Sequence, residues 1–219
     1  ESGLLRDSFI MRGFIICALA LAFYGADAKT YKVSDINAFN KAVKVVLPGD
    51  SIVMADGVWK DVEFKFKGKG TKASPIVLTV ETPGKCTVEG VSQLRLSGEY
   101  LVVDGLVFIN GHAPKEKVTI DFRTSSEDFA YNSVVRNCVI DHFNYPDKSV
   151  KDHWVEVWGK NNTVEYCYFA GKKNLGTTFV IWPNGEKHAP NYHRVYRNYF
   201  GIRPRLGSNG GETLRVGTS

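Results

Sequence analysis

Cysteine is scarce, and what there is does not pair up. Four occur in 219 residues; Cys17 sits in an N-terminal apolar run, leaving Cys86, Cys138 and Cys167 for the rest of the chain. An odd number of thiols argues against a disulfide framework, and their spacing matches no zinc pattern. Long apolar runs are also missing. The one present, FIICALALAFYG at residues 14–25, is shorter than the roughly 20 helical residues that cross a bilayer. Neither sign of charge dominates: 28 Lys and Arg against 23 Asp and Glu leave a net charge of +5. Such a mild basic excess tolerates an anionic partner, whether polyanionic sugar, nucleic acid or an acidic surface, without requiring one. His142, His153, His188 and His193 show no metal-ligand spacing and read as loop or structural residues; His193, opening a repeat, can hydrogen-bond to its neighbour.

What is present begins with export. Met11 and Arg12 precede the apolar run, which finishes in Ala26-Asp27-Ala28. A basic start, a short apolar core and a small-residue cleavage site make a secretory signal. The reading is an upstream flank at 1–10, a signal peptide at 11–28 and a mature domain over 29–219, with no membrane association once the signal is removed. A mature part of this size can bury one core.

Only one segment reads convincingly as a helix. Ser34 can cap DINAFNKAVKVVL, in which Ile36, Phe39, Ala42, Val43 and Val46 share a face, and Pro48-Gly49 ends it. Beyond it come short strands rich in Val, Ile, Phe and Tyr, punctuated by Gly, Asn and Asp. Four of these stretches align: VDGLVF at 103–108, VRNCVI at 135–140, VEYCYF at 164–169 and VYRNYF at 195–200, starting 32, 29 and 31 residues apart. A quasi-period of that size with several strands and no helix fits one coil of a parallel β-helix per repeat. Cys138 and Cys167 then stack between coils as packing residues. The amphipathic helix covers the first coil, where a solenoid would otherwise expose its core and strand edges. Lys65, Lys67 and Lys69, alternating with Phe64 and Phe66, and Lys72 beyond them, read as a solvated face. The chain stops in RLGSNGGETLRVGTS, a Gly-rich turn and an alternating strand, with no C-terminal cap visible. The expectation is an incomplete solenoid.

Several of these stretches carry a resemblance. PGDSIVMADGVWKDVEFKFKGKGTKASPIVLTVETPGKCTVEG, LRLSGEYLVVDGLVFINGH, YHRVYRNYFGIRPRLG and NGGETLRVGTS are together similar to the alginate lyase and chondroitinase B family, polysaccharide lyase family 6, in order from about Lys29 to Ser219. The ending resembles the alginate-cleaving members more than the dermatan-cleaving ones. The resemblance implies an all-β, right-handed parallel β-helix, secreted or periplasmic in a bacterium, and Ca2+-assisted β-elimination of an anionic polysaccharide. The partner is alginate, with dermatan sulfate as the alternative, and not nucleic acid.

β-Elimination takes the proton from C5 of a uronate, beside a carboxylate whose charge must be neutralised. A calcium ion held by several oxygen ligands does this, while a crowded Lys serves as base and an acid assists the leaving sugar. In the family the calcium is held by one Asn and a Glu-x-Glu stretch. Asn209 matches that Asn, although Asn before Gly-Gly is equally ordinary turn chemistry. The Glu-x-Glu, the Lys base and the Arg acid are expected beyond Ser219, so no catalytic residue is assigned and the stretch given is expected to be inactive by itself. Arg203, Arg205 and Arg215 surround the turn as candidates for holding neighbouring uronate carboxylates. Arg215 alternates with Leu214 and Val216 and so points away from the core, whereas Glu212 reads as a solvated or structural carboxylate rather than a ligand. A β-helix glycoside hydrolase would need an acid pair on adjacent coils, but Asp104, Arg136, Glu165 and Tyr196 share one register without forming one. A non-catalytic polysaccharide-binding solenoid is the remaining alternative.

Overall fold

The computed structural model describes residues 27–183, 189–203 and 211–217. The expected signal at 11–28 therefore falls almost wholly outside the described residues, as do His188, Arg205 and Asn209. Among the described residues no helix is long and apolar enough to cross a membrane.

The chain lays one strand on each of three sheets per coil and then starts the next coil alongside. The first sheet runs Thr30–Val33, Ser51–Met54, Ile76–Val80, Leu101–Asp104, Val134–Arg136, Thr163–Glu165 and Arg194–Tyr196. The second runs Gly57–Lys60, Cys86–Val91, Val107–His112, Val139–Asp141, Tyr168–Ala170 and Tyr199–Phe200. The third runs Glu63–Lys69, Gln93–Glu99, Val118–Asp121, His153–Val157, Phe179–Ile181 and Leu214–Val216, with Ala130–Tyr131 paired to the far end of Gln93–Glu99. Neighbouring strands pair in parallel throughout, and the result is a parallel β-helix, as expected.

The sequence repeats are the coils. Val103, Val135, Val164 and Val195 stack in register on the first sheet, and Phe108, Ile140, Phe169 and Phe200 on the second. Between them the chain must turn within a few residues, and the same position in all four coils takes the left-handed conformation: Gly105, Asn137, Tyr166 and Arg197, with φ of 86, 53, 54 and 50°. Cys138 and Cys167 follow this corner, buried and free, their thiols donating to the carbonyls of Arg136 and Glu165 at 3.2 and 3.3 Å. The contact with Cys167, added to burial, pushes the Cys138 thiol well above its ordinary value, and burial pushes Cys86 up to about 11. Both effects disfavour the reactive thiolate and fit the packing role.

Another corner is wired by a polar ladder. Leu101 N–H donates to Ser133 Oγ at 3.1 Å, Ser133 N–H to Asn162 Oδ1 at 2.9 Å, and Asn162 N–H to His193 Nδ1 at 3.1 Å. Backbone donors that leave the sheets at this corner thus find side-chain acceptors one coil on, and His193 bonds to its neighbour as anticipated.

The helix spans Ile36–Val43, and its N-cap is Asp35 rather than Ser34: the Asp35 carboxylate accepts from Ala38 N–H at 2.8 Å. Phe39 and Ala42 are buried in the core of the first coil, where the Phe39 ring meets Phe64 edge-on at 5.1 Å. Phe64 and Phe66 point inward, while Lys65, Lys67 and Lys69 face solvent and pair loosely with Glu63, Asp128 and Glu99. The solvated-face reading of these lysines stands.

Candidate functional site on the outer face of the third sheet

Side chains alternate along a strand, so each strand of the third sheet turns every second residue outward. In-register pairing lines up Lys65, Arg95, Asp121, Glu156, Val180 and Arg215 across six coils. Two residues further along their strands stand Arg123, Trp158 and Trp182. The two indoles stack with centroids 5.3 Å apart and planes 20° from parallel. Arg123 lies 3.8 Å over Trp158 and Arg215 lies 5.0 Å from Trp182, closing the stack with a guanidinium at each end. An indole face attracts a cation, so both arginines are fixed in position against the stack.

Beneath this stack sit two carboxyls. Asp121 and Glu156 are register partners, 6% and 5% exposed. Glu156 accepts from Trp158 Nε1 at 3.0 Å and lies 3.8 Å from Arg123, whose Nε is 3.5 Å from Asp121 Oδ2. Asp121 Oδ1 is buried with no hydrogen-bond partner. Burial first, and the Glu156 charge second, push Asp121 up to about 7; burial likewise raises Glu156 against the pull of Arg123. His153 stands nearby, its Nδ1 accepting from Thr177 N–H at 2.9 Å and its Nε2 3.8 Å from Glu156. Burial lowers it to about 4, so it is neutral at physiological pH.

The expected site residues separate in this geometry. Arg215 faces outward on the third sheet, and its Nε is buried with no hydrogen-bond partner. Arg203 does not lie on that face. It is 6% exposed, and its guanidinium donates to Asn174 O, Gly176 O, Glu212 O and Thr178 Oγ1 at 3.0, 2.7, 3.2 and 3.1 Å. Those donors are spent on the chain's own acceptors, which ties three loops together rather than offering a fork to a sugar. Glu212 accepts from Thr177 Oγ1 at 3.2 Å, in keeping with its structural reading. Arg205 and Asn209 lie outside the described residues. Close to Arg203, buried Lys172 donates to Asp152, and burial lowers the amine to about 8.

Asp121, Arg123, Glu156, Trp158 and Trp182 were not singled out from sequence. Their partners are a full coil away, so no local motif marks them. The trace that could have found them is the repeated apolar-Trp pair, Val157-Trp158 and Ile181-Trp182. The register Asp104, Arg136, Glu165, Tyr196 holds as read, with Arg136 bonded to Asp104 at 2.8 Å. An acid pair does occur, as Asp121 and Glu156 on the third sheet, but it is buried and tied to Arg123.

A calcium ion needs several converging oxygen ligands. Among the described residues no three of His, Cys, Asp and Glu come together in that way.

A family model described as chondroitinase B matches residues 33–219. No curated protein matches the chain. Among solved structures it is similar to the PL6 family alginate lyase AlyGC, at 44% identity and a TM-score of 0.84 over 86% of this chain and 26% of that one. A mannuronic acid specific family 6 lyase from human gut microbiota matches at 33% identity and a TM-score of 0.78, over 87% of this chain and 44% of that one. A PL6 family polysaccharide lyase from Pseudopedobacter saltans matches at 31% and 0.72, over 88% and 42%. The chain thus spans less than half the length of each of these relatives.

Proposed function

The chain belongs to the chondroitinase B family, polysaccharide lyase family 6, and on that premise we propose that it forms the substrate-holding part of an exported lyase that cleaves alginate by β-elimination. The observation that carries this reading is the pair of guanidiniums held on the tryptophan stack of one outer face, Arg123 and Arg215, in a chain 44% identical to a protein named as an alginate lyase. A polyuronate presents a carboxylate on every sugar, and a fixed guanidinium meets a carboxylate through paired, charge-assisted hydrogen bonds.

In the proposed reaction a base removes the C5 proton, the C4–O bond to the next sugar breaks, and a C4=C5 double bond forms as the departing oxygen takes up a proton. The Arg215 guanidinium, held against Trp182, holds a uronate carboxylate and offsets charge that builds up as C5 is deprotonated. The buried Asp121–Glu156 pair anchors Arg123 on the same face. Calcium, expected through Asn209, and export, expected through the signal at 11–28, belong to the proposal as well. The base and the acid are not assigned to any described residue.

Incubating the protein that carries this chain with polymannuronate, polyguluronate and dermatan sulfate, and following the ultraviolet absorbance of the unsaturated uronate, tests the reading. Alginate blocks are expected to yield the chromophore, and Arg215→Ala to lower kcat/KM by about tenfold, the loss of one charged hydrogen-bonding partner. No chromophore from any of the three polymers would reject the proposal.

A further inference from the structure

A second feature lies on the same outer face, two coils nearer the N-terminal cap than the Trp158–Trp182 stack's far end. A cleft of about 270 Å³ opens there, lined in part by Arg95, Lys117, Asp121, Arg123 and Ser126. Asp121 forms its floor, 6% exposed, and Asp121 Oδ1 is buried without a hydrogen-bond partner. A buried carboxyl oxygen with no donor costs free energy unless something fills the vacancy. The walls are cationic. Arg123 is clamped over Trp158 at 3.8 Å, and Arg95, its side chain 24% exposed, keeps only a loose contact of 3.5 Å with Glu63. Lys117 stands at the rim on the turn closed by its N–H to Pro114 O at 2.9 Å. Glu116 shares the rim and Glu156 the floor, so the cleft is mixed in charge rather than a general anion trap.

That combination suits one kind of ligand: a sugar ring with a carboxylate for the guanidiniums and a hydroxyl for the bare carboxyl oxygen. We propose that this cleft is a distal subsite for one carboxylated sugar of a bound polysaccharide chain. The inference rests on the lyase reading above and adds to it a binding position away from the reacting unit. Asp121 and Arg215 stand three strands apart in one register line, about 14 Å at the usual strand spacing. An oligosaccharide must therefore extend over several units to reach both. The sugar hydroxyl pairs with Asp121 Oδ1, donating to it when the oxygen is unprotonated and accepting from it when it carries the proton, and the carboxylate lies between Arg95 and Arg123 with Lys117 above.

Isothermal titration of the protein with mannuronate oligosaccharides, from disaccharide to octasaccharide, reads this out directly. For wild type, affinity is expected to climb once the oligosaccharide is long enough to span from Arg215 to the cleft. The double variant Arg95→Gln with Lys117→Gln alters two accessible side chains outside the core. It is expected to weaken the longest oligosaccharide about tenfold while leaving the disaccharide as in wild type. An uncharged mannan oligosaccharide of equal length is expected not to bind. If wild type binds but the double variant keeps the wild-type length dependence, the subsite is rejected and the lyase reading survives. If wild type binds no uronate oligosaccharide of any length, both fall together.

Discussion

Asp121 is buried beside its register partner Glu156, and burial pushes its carboxyl up to about 7. A carboxyl raised in the folded state binds its proton more tightly there than in the unfolded chain, so its contribution is complete below about pH 4 and is lost as pH rises through 7. Asp121→Asn keeps the shape and removes the ionisation. The variant is expected to gain thermal stability over wild type increasingly from pH 4 to pH 7, with the gain level above that, measured by melting temperature across a buffer series. A constant difference at every pH would show that Asp121 does not titrate in this window. Arg203 teaches the complementary lesson. Its place in RPRLG suggests a ligand-facing cation, but the sequence does not show that four acceptors of neighbouring loops converge on it.

At the scale of the element, the corners decide how tightly the coils can stack. Gly98 has φ 115°, and a β-carbon there would strike the carbonyl oxygen of Gly68, its register partner one coil earlier. Gly98→Ala therefore combines a strained φ with a collision between backbones, which cannot be relieved by a rotamer change. It is expected to cost at least about 2 kcal/mol in urea denaturation. Gly84→Ala, at φ 81° with open space around it, carries only the conformational penalty of about 1 kcal/mol. Equal losses for the two would remove the stacking explanation. The other left-handed corners were less legible. Asn132, Asn137 and Asn161 are familiar in that conformation, but Tyr100, Tyr166, Tyr192 and Arg197 adopt it too. Their sequence does not announce it, because the stacked strands on either side, not local preference, set the angle.

For the whole molecule, each coil is held chiefly by the coils beside it, so protection should follow stacking. Amides of Val118–Asp121, flanked by a strand on each side, are expected to exchange hydrogen more slowly than those of the exposed bend at residues 125–127. Mass-spectrometric hydrogen exchange measures this, and uniform protection would mean that the stack opens only as one unit. The sequence alone determined the coil repeat, the inward ladders of Val, Ile and Phe, the N-terminal helix and the family resemblance. Each of these is written in local composition and in spacing along one chain. Only the tertiary structure decided which side chains meet on the outer face of the third sheet. Arg95, Asp121, Arg123, Glu156, Trp158, Trp182 and Arg215 come from separate coils, and it is strand register, set by the buried faces, that brings them into line.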